Sequence, residues 1–65
     1  DRTHMDQISE KELAALNELL SEEELLIKKF KMLSEHTEDA EVKAKFTEIS
    51  NNHQEHFQSL YAQLK

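Results

Sequence analysis

Apolar residues in the first half of the chain recur at Leu13, Leu16, Leu20, Ile27 and Phe30, in steps of three, four and seven. That period predicts an amphipathic α-helix. Leu19, Leu26 and Leu33 form an adjacent strip, so three of every seven positions are apolar. Such a width suits a bundle helix with two neighbours better than the narrow seam of a two-stranded coiled coil. Ser9 followed by Glu12 is a capping box, in which hydroxyl and carboxylate each satisfy an unpaired N–H at a helix start. Helix 1 is therefore expected over about residues 10–36. "HTEDAEV" interrupts the pattern, with Asp39 as N-cap and Glu41 placed where a carboxylate meets the positive helix end. Helix 2 is expected over about 40–64, with a stripe of Val42, Phe46, Ile49, Leu60 and Leu64 and Phe57 beside it.

So short a connection makes the helices antiparallel neighbours, an αα-hairpin of all-α class spanning residues 9–65 as one domain. Each helix is ~38 Å long at 1.5 Å per residue. Two such helices cannot cover one another's wide apolar faces. Two hairpins related by a two-fold axis can, which predicts a homodimer forming a four-helix bundle. Residues 1–8 lie outside the pattern, and "HM" before Asp6 resembles a remnant of cloning, so this segment is expected to be disordered or tag-derived.

Both stripes contain polar interruptions. Continuing the first by its own rule places Glu23 between Leu20 and Ile27, and continuing the second places His53 inward with His56 one turn further on. In an antiparallel hairpin, residues equidistant from the turn share a height. With Glu38 as the centre, Glu23 faces His53 and Phe30 faces Phe46. Ionisable groups on a core stripe cost several kcal/mol unless paired or bound to metal. The i, i+3 spacing of His53 and His56 lets both imidazoles project from one face, and Glu23 approaches from the other helix. Two nitrogens and one oxygen suit a transition metal ion: zinc, iron or manganese. The competing reading is a metal-free layer in which Glu23 hydrogen-bonds His53. His36, in the last turn of helix 1, favours the helix dipole and is read as structural. "SEEE" at 21–24 is mainly a solvated acidic face.

Composition narrows the function classes. Eight Lys and Arg against 14 Asp and Glu give a net charge of −6, which opposes binding to nucleic acid and to anionic membrane surfaces. The longest apolar run, Leu13-Ala14-Ala15-Leu16, falls far short of the roughly 18 residues of a membrane span. No secretory signal is expected, and the expected location is cytoplasmic. Cysteine, glycine and proline are absent, so disulfides cannot supplement a small core. There is no nucleophile–base pair and no phosphate-binding Gly loop, so no residue is assigned a catalytic role.

The segment "EELLIKKFKMLSEHTEDAEVKAKFTEISNNHQEH" resembles half of a ferritin-like or rubrerythrin-like bundle. In such halves a Glu is followed seven residues later by an aromatic, then a "TxD" turn, then a helix carrying Glu-x-x-His. Here those features fall on Glu23, Phe30, Thr37 with Asp39, and His53 with His56. Within that superfamily, "LLIKKFK" and "HQEH" are most similar to the short spore coat protein F-like hairpins of Firmicutes. The resemblance implies a metal-binding hairpin, or a structural protein with spore coat partners and a spore-associated location. It also implies a departure: His53 stands where the family has a bridging carboxylate, and Phe30 replaces the customary tyrosine. Plain metal binding is therefore expected over oxidation chemistry.

Overall fold

A computed structural model describes residues 9–64; the expectation for residues 1–8 lies outside them. The described chain is two helices, α1 (Glu10–His36) and α2 (Ala40–Ala62), packed side by side as an antiparallel hairpin. α1 opens on the complete capping box: Glu12 N–H donates to Ser9 Oγ at 3.1 Å, and Ser9 N–H donates to Glu12 Oε1 at 3.1 Å. It closes at Thr37, whose extended backbone (φ −83°, ψ 145°) ends the helical run and whose N–H reaches back to the Leu33 carbonyl.

The link between the helices works without glycine or proline. Thr37 Oγ1 accepts from the Asp39 amide, and Asp39 Oδ1 accepts from the amides of Glu41 and Val42 at 2.9 and 3.1 Å. Two side chains thus supply the partners that a tight turn leaves missing on the backbone. α2 ends at Ala62, two residues short of the expected end. The reason is visible in the last amides: Gln63 and Leu64 bond the carbonyls three residues back, Leu60 and Tyr61, and this tightens the final turn.

Side-chain heights follow the register of a turn centred on Glu38. Phe30 and Phe46 meet with ring centroids 5.8 Å apart, and Phe30 stacks on His53 at 6.2 Å. The line of closest approach is occupied by small polar residues. Among the described residues only Ser34 and Ser50 are buried. Ser50 Oγ donates across the hairpin to the Ile27 carbonyl at 3.2 Å, and Ser34 Oγ donates to Lys31 within its own helix at 2.8 Å. A larger side chain at either position would hold the helices apart.

No apolar side chain among the described residues is buried. Leu16, Leu20, Ile27, Phe46 and Phe57 are half-covered, whereas Leu13 and Val42, expected in the core, are exposed. The geometry explains this. The Cα extents are 48 × 19 × 10 Å, so the molecule is one layer of helices, and a core needs at least two layers. The radius of gyration is 15.2 Å, against roughly 11 Å for a compact domain of this length.

Candidate metal centre

Glu23 is the central residue of α1, and His53 lies two residues past the centre of α2. Each is carried there by helical periodicity. On α1, Leu19, Glu23, Leu26, Phe30 and Leu33 follow alternating steps of four and three; on α2, Val42, Phe46, Ile49, His53, His56 and Leu60 do the same. These two rows lie on the same side of the hairpin. The other side of the seam is a groove lined by polar residues that include Lys31, Glu35, Thr47, Asn51 and Gln54. The two faces of the layer thus differ in character, and the histidines belong to the apolar one.

Within that face three side chains converge. His53 Nδ1 and Glu23 Oε1 are 2.7 Å apart, a charge-assisted hydrogen-bond distance. His56 Nδ1 lies 3.6 Å from the other carboxylate oxygen, Glu23 Oε2. The imidazoles meet edge to face, with centroids 5.5 Å apart. One candidate ligand atom from each of Glu23, His53 and His56 falls within 4.8 Å of the others. Ligands around an ion with bonds of ~2.1 Å stand roughly 3 Å apart, so the three side chains would have to draw together from this spacing to hold one.

The chemistry of the set is specific. The carboxylate accepts from the His53 Nδ1–H; a divalent cation held there would take the place of that proton, and the carboxylate would offset part of its charge. Zinc, iron and manganese all accept this mixture of imidazole and carboxylate, and three protein ligands leave at least one coordination position open.

Burial divides the three residues. The side chains of Glu23 and His53 are 17% and 24% exposed, whereas that of His56 is 61% exposed. His56, expected to point inward, therefore sits on the rim of the face. Phe57 takes the seam position beside it and is half-covered. His36 stands apart from the cluster, its Nδ1–H donating to the Met32 carbonyl at 2.8 Å in the last turn of α1. The acidic run at 21–24 contributes only Glu23 to the site; Glu24 pairs on the surface with Lys28 at 3.7 Å.

Sequence reasoning overlooked Ser34 and Ser50, the two buried residues, of which Ser50 bonds across the hairpin to the Ile27 carbonyl. Their positions carried the signal: Ser34 follows Ile27 by seven, and Ser50 follows Phe46 by four. Among the described residues, no helix is long and apolar enough to cross a membrane. Comparison of the chain with protein-family models, with curated proteins and with solved structures finds no match.

Proposed function

We propose that the chain is a ferritin-like hairpin that holds a transition metal ion (zinc, iron or manganese) through Glu23, His53 and His56, in a homodimeric four-helix bundle. The observation that carries this reading is the convergence of those three side chains within 4.8 Å at mid-hairpin, on a face with no other ionisable residue in its two rows. The need for a second layer supports the dimer, since the hairpin alone leaves every described apolar side chain at least partly exposed. The test is elemental analysis of protein purified without chelator and after addition of zinc or iron. Bound metal that falls on His53→Ala supports the reading; no metal as purified and no uptake on addition defeats it.

The 2.7 Å contact between His53 and Glu23 favours a second reading. In it the polar layer is metal-free and fixes helix register and partner choice, as befits a structural protein of the spore coat type. Replacing both residues together, Glu23→Leu with His53→Leu, then leaves assembly intact and raises stability. Loss of assembly in that double variant would count against it. Neither reading requires an enzymatic activity; a redox role would need turnover demonstrated with iron.

A further inference from the structure

The face that needs covering is the face that carries the ionisable cluster. Its aliphatic members, Leu19, Leu26, Leu33, Val42, Ile49 and Leu60, are half-covered or exposed, and Glu23, His53 and His56 interrupt them at mid-length. Covering the face with a second copy buries the leucines favourably. The same contact strips water from a carboxylate and two imidazoles on each copy. Without compensation, that desolvation opposes association.

The position of the cluster makes the conflict unavoidable. Two layers stacked face to face can be related by a two-fold axis running along the helices or across them, within the interface. Because Glu23 is the central residue of α1 and His53 is near the centre of α2, either axis brings the two clusters together. Two Glu23 carboxylates then approach one another in a dewatered layer, between chains that each carry a net charge of −6. Like charges placed so favour separation. A divalent cation reverses the sign of that interaction. From one copy it finds three protein ligands, against the four to six that transition metals take. A second copy supplies the remainder.

We infer that the cluster is an incomplete site finished by the same residues of a second copy, so that divalent metal drives the hairpin to dimerise. This rests on the metal-binding reading and adds a regulatory role: the ion controls assembly. Linkage requires the reverse as well, so dimerisation tightens metal binding by the same factor.

The experiment is sedimentation velocity of the full chain over a concentration series, after removal of metal by chelator and again with Zn(II) alone, with bound zinc counted in parallel. Expected is a fall in the dimer dissociation constant of about tenfold or more on adding zinc. His56→Ala, and separately the nearly isosteric Glu23→Gln, should abolish that response while retaining helicity by circular dichroism. His36→Ala, which removes an exposed imidazole outside the cluster, should leave it intact. Zinc bound without any change in the dissociation constant overturns the inference and leaves the metal-binding reading standing. No zinc bound overturns both. A response lost in His36→Ala, or kept in both cluster variants, shows incidental cross-linking by surface histidines and overturns the inference.

Discussion

Glu23 and His53 are each worth more as a pair than their separate positions suggest. The carboxylate is four-fifths covered by its own hairpin and meets an imidazole nitrogen at 2.7 Å. Removing the imidazole therefore leaves a half-buried carboxylate with only the 3.6 Å neighbour His56. His53→Ala is expected to destabilise the metal-free hairpin by about 1–3 kcal/mol, measured by urea unfolding, because an unsatisfied polar group retains its desolvation cost. Ser50 offers a contrasting case at the same scale. Ser50→Ala removes the bond to Ile27 but keeps the small volume, and should cost about 1 kcal/mol. Ser50→Leu keeps neither and should separate the helices, costing about 1–3 kcal/mol and, on the proposed metal-binding reading, weakening zinc uptake by moving α1 away from α2. If Ser50→Leu binds zinc as wild type does, close approach at the seam is irrelevant to the site.

At the scale of elements, three of the four helix limits, all but the end of α2, were legible because their signals are local. A capping box, a change of apolar period and an Asx cap each act over three or four residues, and no distant contact competes with them. Ser9→Ala and Asp39→Ala should each cost ~1 kcal/mol, visible as a lower thermal midpoint. Asp39→Ala should be the costlier, since Asp39 satisfies two amides where Ser9 Oγ satisfies one. The pairing of Glu23 with His53 was legible for a related reason: a three-residue link leaves little freedom in register, so counting from the turn locates facing residues. What the stripe did not reveal was how much each member is covered. Periodicity assigns a side chain to a face, but Leu13, Val42 and His56 show that exposure depends on what lies opposite, and a single layer of helices has nothing opposite one of its faces.

For the molecule as a whole, that uncovered face is the one a second layer would bury. Ile49 sits on it, near the cluster, at a position half-covered by the hairpin itself. In the proposed dimer, Ile49→Lys should weaken association, because an isoleucine covered by the second copy contributes up to ~1.5–3 kcal/mol, equivalent to roughly 10- to 100-fold in dissociation constant. Analytical ultracentrifugation at matched concentrations checks this, and an unchanged affinity would show that the apolar row is not where copies meet. The Thr37–Asp39 link has a kinetic consequence. Its side-chain bonds join neighbouring helices over a few residues, and the chain has no proline to impose slow isomerisation. Hairpin closure is then a local, microsecond-scale event, which in the proposed dimer leaves the meeting of two chains as the slow step. Stopped-flow refolding should therefore show a main phase whose rate rises in proportion to protein concentration, so that the pace of folding is set by how often one molecule encounters another.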